Sequence, residues 1–293
     1  MKTHDKKVEK QMLCLVCESL PSHADNECNC GTVQEVFRPM EAPIKNRFLK
    51  PWPLGWKAKI GVLIPSVDTG YCSYEFRVLC PDGVVTLETR VAMGALTLEN
   101  LQKMRRDAVS GAQLLATANP DVITYEATAA GFVLGVEGDR ALIKEIEDKT
   151  GVRATTGAAS VAASLEVLEI KKLSIYAATP QEVTNFTARY LTDKGFDVCD
   201  VESVSFRHAS EGFRMSPWEV YSNVMKFYRR CPEVDAIFIA GGCFRTLEML
   251  PTLEKNLDRP VVTTVPANMW HCLRIAGVKD LVYGYGQLLE KPR

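Results

Sequence analysis

The sequence predicts an α/β fold of two successive, pseudo-symmetric parallel-sheet domains with a ligand cleft between them. Three observations lead there. From Ala58 onward, apolar strand-like runs alternate with helical stripes, as parallel sheets joined by crossover helices require. The order of elements then repeats from about residue 172. Each repeat also has a strand ending in small residues: Ala127-Thr128-Ala129-Ala130-Gly131 in the first and Ala240-Gly241-Gly242-Cys243 in the second.

Residues 1–57 stand apart. They lack periodicity, and Pro39, Pro43, Pro51 and Pro53 block regular structure, so they read as a cysteine-containing extension and linker. Lys59 to Pro65 is a buried strand. Leu98, Leu101, Met104, Ala108, Ala112 and Leu115 form one apolar stripe, which predicts a helix from Thr97 to Ala116. Asp121 to Tyr125 is a strand, and Asp139 is read as the cap of a helix ending at Gly151. In the second repeat, Leu173 to Ala178 is a strand, and Thr179-Pro180-Gln181-Glu182 reads as a capping box. Phe196 to Val204 is a strand, Ser216-Pro217-Trp218-Glu219 is a second capping box, and Asp235 to Ala240 is a strand. A helix through Leu247, Leu250 and Leu253, a strand from Pro260 to Thr264 and a helix around Trp270 complete the chain. The first domain is placed at 58–171 completed by 266–293, the second at 172–265.

Composition removes several function classes. The 35 basic and 36 acidic side chains give a formal charge of -1, so there is no basic field for nucleic acid or anionic lipid. No apolar run approaches a membrane span, and the first residues lack the apolar core of a secretory signal. A soluble, cytoplasmic protein with reduced thiols is expected, and a homo-oligomer is compatible with this reading. Cys14, Cys17, Cys28 and Cys30 are clustered and could supply four thiolates to a structural zinc in the extension.

Small residues at the carboxyl end of a parallel strand leave room for a ligand, and the next helix aims free N–H groups at it, which suits a carboxylate or phosphate. Two such ends facing one another would make an anion-binding cleft. The chain has no G-x-G-x-x-G opening a helix, no P-loop, no H-E-x-x-H and no G-x-S-x-G. With four histidines, a His-rich catalytic metal site in the main body is not expected. Cofactor-independent chemistry on a small anionic molecule remains.

Several strings resemble the aspartate/glutamate racemase superfamily, and within it the maleate isomerase and arylmalonate decarboxylase branch. Ile64-Pro65-Ser66-Val67-Asp68-Thr69 is similar to that branch's first-strand motif. Tyr125 to Gly131 resembles its first cysteine loop, and Phe238 to Glu248 its second. Pro260-Val261-Val262, Trp270 to Gly277 and Gly284-Tyr285-Gly286 resemble its tail. The likeness covers roughly 58–290. It implies two pseudo-symmetric domains and proton-transfer or addition chemistry at the α-carbon or double bond of a small carboxylate, carried by two thiols, or by one thiol and a small residue, on opposite faces of the substrate. The implied thiol positions fall on Ala127 and Gly241, the implied carboxylate-binding tyrosine on Thr179, and the implied asparagine on Asp68.

The expected pocket therefore keeps its binding groups and changes its chemistry. Thr128 with the N–H groups near Ala129 and Ala130 is expected to hold one carboxylate, and Ser66 with Gly241 and Gly242 a second polar group. Ala127 and Thr179 complete the binding set. Catalytic candidates are Cys243 on a shifted loop, Asp68 as base, His208 for its intrinsic pKa, and Glu126 beside the pocket loop. Arg207 and Arg214 could pair with a substrate carboxylate, and His271 reads as structural. The leading function is a cofactor-independent isomerase, racemase or decarboxylase. The alternatives are a hydrolase or carbon-carbon lyase using an Asp-, Glu- or His-activated water, and a non-catalytic carboxylate-binding protein.

Overall fold

The computed structural model describes residues 54–292. Cys14, Cys17, Cys28 and Cys30, and with them the zinc expectation, lie outside the described residues. Two four-stranded sheets organise the remainder. In the first, β1 (Ala58–Pro65), β2 (Val84–Val91), β3 (Val122–Tyr125) and β4 (Ala154–Thr156) are ordered β2-β1-β3-β4 with every pairing parallel. In the second, β5 (Lys172–Ala177), β6 (Asp197–Ser203), β7 (Ala236–Ala240) and β8 (Val261–Thr263) repeat that order as β6-β5-β7-β8, again parallel. The two alpha/beta halves thus have the same topology. The central strands β3 and β7 are buried along their whole length, as their uninterrupted apolar runs require.

Helices before β5 are α1 (Tyr71–Leu79), α2 (Leu98–Ala116), α3 (Thr128–Thr150) and α4 (Gly157–Val167); those after it are α5 (Gln181–Asp193), α6 (Ala209–Gly212), α7 (Pro217–Tyr228), α8 (Leu250–Leu257) and α9 (Thr264–Ile275). Thr97 caps α2 by accepting the Asn100 N–H at 3.3 Å. Ser216 and Glu219 form the expected reciprocal cap of α7, with Pro217 in the first helical position. Among the described residues, no helix is long and apolar enough to cross a membrane.

Several expectations need correction. The hydrophobic pattern did not disclose α1, β2, β4 or α4. Strand β2 lies at a sheet edge and is largely half-buried, and β4 has only three residues, so neither has a long apolar run. Thr179 does not cap α5: its hydroxyl meets Thr184 Oγ1 at 2.8 Å, and Pro180 occupies the cap position. Asp139 is not a helix cap. It lies inside α3, beyond a kink at Gly135, and its Oδ2 accepts the Tyr190 hydroxyl at 2.9 Å and the Thr156 hydroxyl at 3.0 Å. The expected helix end at Gly151 is observed, with that glycine in the left-handed region. Cys199 and Cys231 are joined in a disulfide where reduced thiols were expected, because the chain after α7 returns beside edge strand β6.

The halves are laced together at three places. Val183 and Phe186 of α5 pack into the hydrophobic cluster of the first half, and Phe132 meets Phe238 edge to face. Helix α9 packs on α4 and α1. Helix α1 reaches across to the segment after β7: Cys72 donates to the Gly242 carbonyl at 3.2 Å, and Glu75 accepts the Leu247 N–H at 3.2 Å.

Candidate active site

The carboxyl ends of the four central strands, β1, β3, β5 and β7, converge on one cavity of about 80 Å³. This is where open parallel sheets place ligands. By the same measure a single water occupies roughly 10–15 Å³, so the space suits a small organic molecule.

On the first-half wall, β3 gives way at Ala127 to α3. The Thr128 N–H is turned to the Glu126 carbonyl at 2.7 Å, and those of Ala130 and Gly131 to the Ala127 carbonyl. This leaves the Ala129 N–H with no acceptor among the described residues, at the positive end of a helix dipole. Gly157 allows Thr128 its place, since a Cβ there would come within 2.1 Å of the Thr128 hydroxyl. On the opposite wall, Gly241 has φ +141, and Gly242 and Cys243 follow it along the cavity.

Asp68 lines the cavity, but its carboxylate is taken up by the start of α1. Oδ2 accepts the Gly70 N–H at 3.0 Å, and Oδ1 accepts those of Tyr71 and Cys72, each at 3.1 Å. Arg90 stands beside it, 3.9 Å from Oδ2. The visible work of this carboxylate is to hold the β1–α1 turn.

Glu126 is different. It is 3% exposed, its Oε2 accepts the Asn268 side-chain amide, and its Oε1 has no hydrogen-bond partner among the described residues. Burial is the main cause that pushes this carboxyl up to about 8, so near neutrality it is a neutral acid, with one oxygen unsatisfied beside the cavity. A Cβ built on Gly242 would lie 3.1 Å from Cys72 Sγ and 3.3 Å from Glu126 Oε1, so both groups crowd the same glycine. Burial raises both cavity thiols: Cys72 well above its ordinary value and Cys243 to about 12. They are protonated thiols, not ready thiolates.

Other candidates are placed elsewhere. Ser66 is exposed and outside the cavity lining; its hydroxyl accepts the Met93 N–H at 2.9 Å because the β1 end turns it towards the segment that follows β2. His208 is exposed ahead of the short helix α6, and its backbone N–H is held by Glu211 at 2.9 Å. Arg207 and Arg214 are also exposed, and neither lines the cavity. Thr179 does line it, with its carbonyl accepting the Ser203 hydroxyl at 2.6 Å. His271 faces Thr155 and Ser160 hydroxyls, each 3.1 Å from Nδ1, in a structural network.

The family model for arylmalonate decarboxylase matches residues 60–289. The chain belongs to this family. It is 23% identical over 233 residues to an arylmalonate decarboxylase of Bordetella bronchiseptica, covering 79% of this chain and 96% of that protein. It is 22% identical over 247 residues to a maleate isomerase of Pseudomonas putida, covering 79% and 97%. The crystal structure of the maleate isomerase Iso from Pseudomonas putida S16 superposes with a TM-score of 0.76 at 20% identity, over 80% of this chain and 99% of that one.

Within this arylmalonate decarboxylase family fold, two site residues of the present chain escaped sequence reasoning. Cys72 lies in an unrecognised helix, although Cys72, Phe76 and Leu79 all turn inward at helical spacing and Asp68 precedes them as an N-terminal signal. Asn268 comes from α9 and bonds both Glu126 and Thr124, the latter at 2.6 Å. No local signal marks Asn268, since its partners lie more than a hundred residues away.

Proposed function

We propose that this family member is a cofactor-independent isomerase, racemase or decarboxylase acting on a small carboxylate in the cytoplasm, with catalytic residues of its own in place of the two thiols. The observation that carries this reading is Glu126: a buried carboxyl with an unpartnered oxygen, in the cleft that the Ala129 N–H also enters. A substrate carboxylate docks at the start of α3, where Thr128, Ala129 and the helix dipole stabilise the extra charge of an enediolate. That enediolate arises when the ionised fraction of Glu126 takes the α-proton, or when a carbon-carbon bond breaks and carbon dioxide departs, leaving its electron pair on the α-carbon. Glu126 then gives its proton to the carbon and is reprotonated by water. Cys243, on the far wall, is the second proton donor in this scheme, and Asp68 holds the turn on which Cys72 sits. His208 has a role only if α6 brings it inward.

The test is incubation of the full chain in deuterated water with maleate, aryl-substituted malonates, aspartate and glutamate, and related monocarboxylates, followed by proton NMR. Deuterium at the α-position, a new alkene isomer or loss of a carboxylate is expected. Silence across the panel overturns the reading. The raised carboxyl of Glu126 also favours a second use, activation of water for hydrolysis or carbon-carbon cleavage; turnover of a lactone or cyclic amide without α-exchange would select it. Saturable binding with no turnover of any kind would leave a carboxylate-binding protein.

A further inference from the structure

Strand β6 is the weakly held edge of the second sheet. It pairs with β5, and its residues are half-buried or exposed throughout. Its register slips between Leu173 and Ser174, which leaves Cys199 as an extra residue without a partner on β5. A bulge of this kind re-aims a side chain, and here it turns Cys199 to Cys231, just past the end of α7. Arg230 also reaches back to Asp200 and Glu202, but these pairs are partly exposed and add little hold. The disulfide spans a sequence separation of 32, so the loop it closes encloses everything between β6 and the end of α7.

That loop carries one wall of the cleft. Ala209 and Phe213 line the cavity, and Gly212 lies so close over Cys243 that a Cβ there would come within 2.4 Å of its sulfur. At the entry to this wall Ser205 has φ +58, a left-handed conformation that a residue with a side chain keeps only while its flanks are held. The wall meets the first half where the Leu96 N–H donates to the Arg207 carbonyl at 2.9 Å.

We infer that the Cys199–Cys231 pair is a site of reversible exchange with a low-molecular-weight thiol, and that its state governs access to the cleft. Cys199 is half-buried and Cys231 buried, so the external thiolate attacks Cys199 Sγ. A mixed disulfide forms there, the Cys199–Cys231 bond breaks, and its electron pair stays on Cys231 Sγ, which takes a proton from water. A second thiolate attacks the outer sulfur of the mixed disulfide, and Cys199 departs and is protonated in turn. Two external thiols are oxidised to one disulfide as the internal disulfide is reduced to two thiols. Cys231 Sγ stands 3.5 Å from Glu233 Oε1, so the released S–H has an acceptor at hand. In the cytoplasm proposed above such bonds are transient, which suits a switch. With the bond open, β6 is held by its β5 ladder and the exposed ion pairs, and the wall opens more often over Cys243. That this cleft is where chemistry occurs rests on the function proposed above.

The experiment equilibrates the full chain with reduced and oxidised glutathione in varied ratio, traps it with acid, alkylates it and reads the Cys199 and Cys231 peptides by mass spectrometry. Desalted oxidised and reduced chains, with the paired variant Cys199→Ser and Cys231→Ser, then receive a brief pulse of a small alkylating agent. The two cysteines are expected to become reduced together in excess reduced glutathione. Cys243 should be labelled about tenfold faster in the reduced chain and in the variant, while Cys272, buried in α9, stays protected. A pair that resists excess reduced glutathione, or that never forms under oxidising conditions, overturns the inference. So does equal labelling of Cys243 in both states, or a parallel rise at Cys272, which marks general unfolding. If the variant does not fold, the reduced chain decides alone. Labelling needs no substrate, so failure of the carboxylate panel and failure of this switch are read separately.

Discussion

The segments after β3 and after β7 occupy equivalent places in two sheets of identical order, yet they tolerate very different side chains. Ala127 has φ -73 and ψ 68, open to any L-residue, and its methyl faces the cavity. Gly241 has φ +141, and a Cβ there would stand 2.7 Å from the Ala178 methyl. Repeated topology therefore does not carry repeated chemistry. One wall keeps room for a reactive side chain, the other has closed against it, and the titratable groups of the cleft come instead from the end of β3, from α1 and from Cys243.

Four substitutions or measurements sharpen that contrast, and the largest effect falls on the closed wall. Gly241→Cys should destabilise the protein by at least about 3 kcal/mol, since it adds left-handed strain to a clash with Ala178, and thermal or denaturant unfolding would register the loss. Next comes Glu126→Gln, which keeps the shape and the Asn268 contact but removes the proton. Steady-state kinetics on any active substrate should show a fall of about 10²-fold or more, with no loss of melting temperature at neutral pH.

The third is a pH dependence of stability. Burial raises Glu75 and Glu126 from 4.5 to about 8, so between those values the unfolded chain has released protons that the folded chain retains. Stability is highest below about 4.5 as far as these two groups contribute, declines as pH rises to about 8, and then levels off. Melting temperatures recorded across that range should fall by several degrees, and the slope should be shallower in Glu126→Gln. The smallest effect is expected at the open wall: Ala127→Cys should alter stability by less than about 1 kcal/mol, because the added sulfur enters the cavity. Mass spectrometry after treatment with a small alkylating carboxylate would find the new thiol labelled more readily than Cys243.

Most of the architecture is written locally. β1, β3, β5 and β7 are apolar runs, and β3 and β7 lead into small residues, so the central strands and the mouth of the cleft are legible from hydrophobic pattern, whereas β2 and β4 are not. Ala127, Thr128, Ala129, Gly241 and Gly242 are recognisable for the same reason, and Glu126 for its position beside them. Caps at Thr97 and Ser216 are legible because their partners lie three residues away.

Long-range contacts decide the remainder. Pattern cannot tell that Asp68 is consumed by three N–H groups, that Ser66 and His208 face solvent, or that Cys72 meets Gly242 across the interface between halves. Nor can it tell that Asn268, 142 residues away, anchors one Glu126 oxygen and leaves the other bare. Backbone periodicity depends on neighbours a few residues apart, and so it is encoded in the local string. The charge state of a carboxyl depends on how much water and how many donors surround it, and those surroundings exist only once distant segments have packed together.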